Sequence, residues 1–134
     1  VQALMAHPGA SRLVYEVQMP YSPPAMFDYL GERLDGFCSE DAAIALAGRA
    51  YERAMVFSLA GGSDPAPIIG LACTAALQTT RERRGADRAW FAAKARTFQQ
   101  VEKVEVPTGS RREQDEWLGA AWLRFMARQV GVVG

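Results

Sequence analysis

The sequence predicts an α/β domain, specifically a three-layer α/β/α sandwich around a mixed central sheet. Two patterns carry this prediction: an unbroken apolar run within residues 67–77, and an amphipathic helix near the end of the chain. A short apolar run preceded by prolines is typical of a strand covered on both faces. The other patterns give the order helix, strand, helix, helix, strand, strand, strand, helix, which fits helices layered on a sheet.

Composition narrows the classes of partner. The chain has 134 residues, enough for one domain, and its hydrophobic and charged fractions of 49% and 22% are ordinary for a soluble globular protein. Fifteen basic and fifteen acidic side chains balance to a net charge of zero, so nothing electrostatic favours nucleic-acid or membrane partners. The apolar stretches are also shorter than a membrane span.

The two cysteines, Cys38 and Cys73, are too few for a disulfide framework. We interpret both as reduced thiols of a cytoplasmic protein, and no secretory signal is found. Residues 1–6 have the pattern of a helix end, with a stop at Pro8 and Gly9. We therefore expect that a further segment of the domain precedes Val1.

In the first half of the chain, residues 13–19 alternate between apolar and polar and predict a strand. The prolines at 23 and 24 suit the first turn of a helix that stops at Gly31, and Ser39 is the expected N-cap of the next helix. The run at 67–77 then forms the predicted central strand. Ligands of open α/β sheets bind beyond the carboxyl ends of strands, so Thr74 is the first candidate site residue.

In the second half, a polar and basic loop at 78–85 precedes two predicted strands at 89–95 and 99–106. A single strand across both would be too long, so a tight connection is expected near 96–98. Ser110 and Glu113 form an S-x-x-E capping box that starts the last helix, which runs to about Gln129. Its apolar stripe comprises Leu118, Ala121, Trp122 and Phe125.

The residues alone contain no familiar catalytic signature. There is no P-loop, dinucleotide-binding glycine motif, zinc-protease motif or C-x-x-C pair. The single histidine, His7, is interpreted as a surface or capping residue, and one histidine with two distant cysteines does not make a zinc site. Cys73 is interpreted as a core residue rather than a nucleophile. We predict no cofactor.

Two groups of arginines are candidates for anion binding. Arg81, Arg83 and Arg84 could close over a phosphate through bidentate hydrogen bonds, although a solvated loop is the simpler interpretation. Arg111 stands at a helix N-terminus, where backbone N–H groups favour anions, although the capping box also accounts for this position. Tyr21 and Ser22, between a predicted strand and a helix, are either site residues or simple turn residues.

Taken in order, several stretches resemble the carboxyl-terminal domain of the CinA family, competence-damage-inducible proteins that include nicotinamide mononucleotide deamidases. The resemblance covers nearly all of residues 1–134 as a single domain that lacks its N-terminal strand and helix segment. The similar stretches are residues 8–11 (P-G-A-S), 21–22 (Y-S), 30–31 (L-G), 38–40 (C-S-E), 70–75 (G-L-A-C-T-A) and 109–111 (G-S-R). They are similar to the family's P-G-A-S, Y-S-N-x-x-K, L-L-G, V-S-E, V-T-G and G-D-R motifs.

The resemblance implies a pocket for a small nucleotide. Thr74 matches the family threonine and Arg111 the family arginine, with Tyr21 and Ser22 beside them. The family's glycine-rich loop after the threonine is replaced here, so Arg83 or Arg84 would take its place at the phosphate. The family lysine aligns with Met26. The family's asparagine aligns with Pro23 and its second arginine with Asp115, and its S-C-T-G-G segment with the nucleophilic serine would lie ahead of Val1.

Because methionine cannot accept a proton from a serine, the resemblance implies a nucleotide-binding domain whose deamidase activity is weak or lost. Its catalytic residues stay unknown. One alternative is an active amidohydrolase with its serine upstream of Val1 and a different base. Another is a structural or oligomerisation module with Trp117 and Trp122 at a subunit interface. We expect a homo-oligomer.

Overall fold

Three helices and three strands make up the computed structural model, which describes residues 14–20, 22–34, 36–61, 67–76 and 87–133. The predicted α/β class is confirmed. None of the helices in these ranges is long and apolar enough to cross a membrane. The elements are α1 (Pro23–Leu30), α2 (Glu40–Ala60), β1 (Ile69–Ala76), β2 (Arg88–Ala95), β3 (Gln99–Glu105) and α3 (Arg111–Val133).

The two helices begin and end where the sequence predicts, α1 at its prolines and its stop at Gly31, and α2 at its N-cap Ser39. Ser22 accepts a hydrogen bond from the Ala25 N–H at 3.3 Å and starts α1, which ends at Gly31 with a φ of 75°. This left-handed conformation favours glycine because a side chain would be strained there. Ser39 caps α2 by accepting from the Ala42 N–H at 3.1 Å. Both helices are therefore confirmed at the positions predicted from their caps.

The three strands form an antiparallel sheet in the order β1-β2-β3. The predicted hairpin is confirmed, because the Ala95 N–H donates to the Phe98 carbonyl at 2.9 Å. The strand expected at the centre, β1, borders only β2 within the described sheet, and β2 is the middle strand. No parallel pair joins the described strands, since the connections between them are shorter than the crossover that a parallel pair requires.

One face of the sheet is covered by α1 and α2, and the contact between α2 and the strands is made through small side chains. Ala43 and Ala47 of α2 meet Ala72 of β1 and Ala92 of β2, and all four are at most 7% exposed. Contact is closest at Gly70, where a Cβ atom would overlap the carbonyl oxygen of Ala47. Helix and strand thus approach each other more closely here than any larger residue would allow. This surface is called the alanine face below.

The opposite face of the sheet is covered by α3 through aromatic rings. Phe91 of β2 lies with its ring centroid 5.1 Å from Trp122 and 5.3 Å from Phe125. Phe125 is fully buried, and Ile69 and Leu71 of β1 pack against the same cluster. The predicted apolar stripe of the last helix is therefore confirmed. Trp122 belongs to this intramolecular core rather than to the free surface expected for a subunit contact. We call this surface the aromatic face.

The strand predicted at 13–19 is wrong for its described part, because residues 14–20 pair with no strand there. Side chains hold this segment against α2 instead. The Arg53 guanidinium donates to both carboxylate oxygens of Glu16, with Nη2 2.9 Å from Oε2, and Tyr15 lies 6.0 Å from the ring of Phe57. Leu13, the helix end at 1–6 and its stop lie outside the described residues.

Candidate functional site

Thr74 lies near the carboxyl end of β1, and its side chain points to the alanine face. Its hydroxyl donates a hydrogen bond to the backbone carbonyl of Phe37, in the loop that leads into α2. A threonine hydroxyl carries a single hydrogen, so this bond uses the only proton that Thr74 can donate. Thr74 can still accept a hydrogen bond, but it has no donor left for a phosphate oxygen.

Arg111 begins α3 beside a carboxylate. Its Nε lies 3.4 Å from Oδ1 of Asp115, one turn further along the helix. The capping box is formed as predicted: the Ser110 N–H donates to Glu113 Oε1, and the Glu113 N–H donates to Ser110 Oγ, both at 3.1 Å. Hydrogen bonds from Ser110 lower the pKa of Glu113, so its charge is held at the start of the helix. An incoming anion would meet two negative side chains there.

Thr74 and Arg111 are not brought together. Every second residue of β1 faces the alanine face of the sheet, namely Gly70, Ala72 and Thr74. Helix α3, which begins at Arg111, packs on the aromatic face. Both residues lie at the same end of the sheet. The end of β1, the start of β2 and the end of β3 are neighbours there, and α3 begins shortly after β3 ends. The sheet itself nevertheless separates the threonine hydroxyl from the helix that carries the arginine.

Of the other predicted site residues, only Ser22 belongs to the part of the chain that the structure describes. Ser22 serves as the N-cap of α1, which is the turn role considered from its sequence position. Tyr21, Arg83 and Arg84 lie outside the described residues, as do Arg81 and His7. A surface groove of about 330 Å³ is present on α2, and among the described residues none of the predicted site residues lines it. It is formed by Arg49, Glu52, Arg53, Val56 and Phe57.

Met26 occupies a buried position on the alanine face. Its side chain is 4% exposed and packs in a cluster with Leu46, Ala47 and Ala72. Ala72 and Thr74 project from the same face of β1, two residues apart. The position aligned with the family lysine is thus on the same side of the sheet as the aligned threonine. It is filled by an apolar side chain with no proton-accepting group.

Cys73 points away from Thr74, toward the aromatic face, where it packs beside the buried cluster of Phe91 and Phe125. Burial, with a smaller effect from Cys38, raises the pKa of the Cys73 thiol to about 12. A thiol with so high a pKa is almost entirely protonated at neutral pH and is a poor nucleophile. The interpretation of Cys73 as an inert core residue is supported.

A row of side chains beside Thr74 was not among the sequence candidates. Thr74 pairs directly with Trp90 of β2, and Trp90 pairs with Lys103 of β3, so the three residues share the alanine face. The Lys103 ammonium lies 5.9 Å from the Trp90 ring centroid. Arg88, two residues before Trp90 on the same face, points to the Cys38 carbonyl with Nη2 at 3.4 Å. The sequence predicts both strands and the tight connection between them, but it does not predict their register. The register is what makes Trp90 and Lys103 neighbours.

Comparison with known proteins adds no neighbour: no protein-family model, curated protein or solved structure matches this chain. Among the described residues, no group of three or more histidine, cysteine, aspartate or glutamate side chains is placed to hold a metal ion. The candidate site therefore consists of a cationic and aromatic row beside Thr74, on the face of the sheet that buries Met26.

Proposed function

We propose that this chain is a divergent CinA-like domain that binds a small nucleotide and hydrolyses its amide weakly or not at all. The observation that carries the proposal is the burial of Met26, which is 4% exposed within an apolar cluster. A serine nucleophile needs a neighbouring base to accept its proton. In the resemblance that base is a lysine at the position of Met26, and no group of that kind is present there.

The arrangement of the alanine face supports the comparison on which this proposal rests. Helix α1 begins at Ser22 and packs through Met26 on the same face of β1 from which Thr74 projects. Ser22, Met26 and Thr74 thus belong to one side of the sheet, whereas Arg111 starts the helix on the other side. We further propose that the domain is a cytoplasmic three-layer α/β/α sandwich with a mixed sheet; the helices on both faces of the described sheet support the layering.

The proposal is tested by measuring binding and hydrolysis separately. Nicotinamide mononucleotide is added to the protein at increasing concentration up to the millimolar range, and thermal stability and ammonia release are recorded. We expect a rise in melting temperature, because a ligand that binds the native state stabilises it. We expect no enzymatic release of ammonia above the buffer control. A melting temperature that does not change would contradict nucleotide binding.

Ammonia release by the protein would instead support the alternative of an active amidohydrolase whose serine lies upstream of Val1. In that case Met26→Ala should leave the activity in place, because the base would be a different residue. Because Met26 is buried, a lower melting temperature of this variant would report lost core packing and not a catalytic role.

A second candidate function, self-association, is favoured by the outer surface of α3. Leu123 and Val130 are separated by two helical turns and are 41% and 52% exposed. Gly119 and Met126 continue the same stripe at spacings of four and three residues, on the side of the helix away from Phe125. Apolar stripes of this kind are common at contacts between helices. The partner that we propose is α3 of a second copy.

Self-association is measured by analytical ultracentrifugation of the unmodified chain and of Leu123→Glu. We expect a dimer that dissociates in the variant, since a carboxylate in an apolar helix contact is strongly unfavourable. Arg124→Glu, which changes the adjacent side chain, serves as the control for added negative charge. A monomer at every concentration of the unmodified chain would exclude this function.

A further inference from the structure

We propose that Lys103, Trp90 and Arg88 form the binding surface for the ligand, which is an aromatic nucleoside monophosphate. This inference rests on the proposed nucleotide binding and specifies where it occurs. It places the phosphate on the alanine face, beside Lys103, rather than at the start of α3 beside Arg111.

The register of the sheet brings these side chains together. Thr74, Trp90 and Lys103 are direct neighbours across three strands, and Arg88 lies one step closer to the end of the sheet. The next row inward, Ala72 and Ala92, is buried beneath α2 at 7% and 0% exposure. The Lys103 side chain, by contrast, is 48% exposed. The Lys103 side chain is thus accessible at this end of the face. Trp90 beside it is half-buried against the alanine-face cluster, and the loop before α2 contacts Thr74 and Arg88.

The side chains of Trp90, Lys103 and Arg88 suit a ligand with an aromatic ring and a phosphate. Trp90 offers an indole ring for stacking, and Lys103 already lies above that ring at a distance typical of a cation–π contact. Lysine is a frequent phosphate ligand because it carries a compact positive charge. Arg88 uses one of its five N–H donors for the Cys38 carbonyl and adds a second positive charge.

One carboxylate modulates this surface. Glu105 Oε1 lies 3.6 Å from the Lys103 ammonium, and its side chain is 65% exposed. Glu105 also pairs with Arg88 across the sheet. A phosphate would have to compete with this carboxylate for Lys103. The cluster of Arg88, Lys103 and Glu105 keeps a net charge of +1, which still attracts an anion.

The start of α3 and the alanine face differ in the charges and hydrogen-bond donors that an anion would meet. At the start of α3, the backbone N–H of Glu113 is taken by the capping box, and Arg111 faces Asp115 at 3.4 Å. On the alanine face two cations share one carboxylate, and an aromatic ring lies beside them. The balance of charge therefore favours the alanine face.

The experiment compares three ligands and matched variants of the full chain by isothermal titration. The ligands are nicotinamide mononucleotide, nicotinamide riboside and inorganic phosphate. We expect Lys103→Gln to weaken binding of the mononucleotide about tenfold, since it removes one charge-assisted contact. Glu105→Gln should tighten binding a few-fold, and the riboside, which has no phosphate, should respond to neither change. Lys94→Gln is the control, because Lys94 lies on the same face of the sheet, on β2, at the end away from Lys103.

The outcomes separate the inference from the proposed function. If the unmodified chain binds the mononucleotide and Arg111→Ala weakens binding while Lys103→Gln does not, the inference is overturned and nucleotide binding stands. If the unmodified chain binds none of the three ligands, both are overturned. A purely structural Lys103–Trp90 contact would change the melting temperature of Lys103→Gln without changing its affinity, and this result would also reject the inference.

Trp90 is tested by a substitution that keeps an aromatic ring but reduces the area available for stacking. Trp90→Phe should weaken the mononucleotide and the riboside by a similar factor, because stacking does not depend on the phosphate. Trp117→Phe, at an exposed position on α3, removes the same chromophore and should have no effect on affinity. Equal affinities for Trp90→Phe and the unmodified chain would argue against stacking on Trp90.

Discussion

The two faces of the sheet are packed in opposite ways. On the alanine face, small residues bring α2 so close to β1 that Gly70 has no room for a side chain. On the aromatic face, the rings of Phe91, Trp122 and Phe125 fill the space beneath α3. The polar row beside Thr74 belongs to the first face. Close backbone contact can place a loop carbonyl on a strand hydroxyl, whereas a layer of rings leaves no room for such a contact.

The largest expected effect is on the aromatic face. Phe125→Ala should destabilise the protein by roughly 3–5 kcal/mol, because it removes a fully buried ring and leaves a cavity between α3 and β2. Urea unfolding followed by tryptophan fluorescence measures this loss. Phe125→Leu keeps most of the volume and should cost clearly less. If both variants lose the same free energy of unfolding, the stability of the aromatic face does not depend on the side-chain volume at position 125.

The alanine face should be sensitive to added rather than removed volume. Gly70→Ala should cost roughly 2–3 kcal/mol, because its Cβ would overlap backbone atoms of Ala47 and Tyr51, which cannot move without separating helix from strand. Gly48→Ala is the matched control, since no atom lies within 4 Å of its Cβ position in α2. That change should stabilise by about 0.5–1 kcal/mol. A tolerated Gly70→Ala, seen as an unchanged urea midpoint, would contradict the close approach.

A smaller effect is expected at Thr74. Thr74→Val keeps the shape of the side chain but leaves the Phe37 carbonyl without the hydroxyl that it accepts from, which should cost about 1–2 kcal/mol. Thr74→Ser retains the hydroxyl and should cost less. If calorimetric melting shows Thr74→Val to be as stable as the unmodified chain, the hydroxyl is not held by the loop and could serve a ligand instead.

The smallest effect concerns pH and the capping box of α3. The pKa of Glu113 is lowered in the native state by hydrogen bonds from Ser110, below its ordinary value of 4.5. A lowered carboxyl pKa stabilises the fold above the pKa of the unfolded chain, and this contribution is lost as pH falls through the native value. Glu113→Gln should therefore flatten the acid side of a melting-temperature profile below about pH 4.5. Parallel profiles for the two proteins would contradict this.

Local sequence signals predicted most of the described elements. The sequence signals at helix ends act locally, because each one satisfies unpaired backbone groups within a single helix turn. They are the N-cap Ser39, the capping box at Ser110 and the stop at Gly31. The strand at 13–19 was predicted from alternation alone, but a strand also needs a neighbouring backbone. In the structure Glu16 pairs with Arg53 on α2 instead. Alternation describes which side chains are apolar, and it does not identify the partner.

The candidate site was less predictable because its geometry depends on pairs of strands. Thr74 was placed correctly at the end of an apolar strand, but its acceptor is a backbone carbonyl, which has no signature in the side-chain sequence. The separation of Thr74 from the helix of Arg111 follows from which face each element covers. Trp90 and Lys103 become neighbours only through the register of β2 and β3, and neither residue type marks a site alone.

The short turn between β2 and β3 consequently controls which chemistry the alanine face displays. Residues 96–98 fix the pairing of Lys94 with Gln99, and every later pair follows from it. Successive side chains of a strand point to opposite faces, so a one-residue insertion in this turn would rotate the whole of β3. Lys103 would then turn to the helix α3 side, and Glu102 would take its place beside Trp90. A single inserted codon could thus reverse the charge of this surface while leaving both strands, and every residue in them, unchanged.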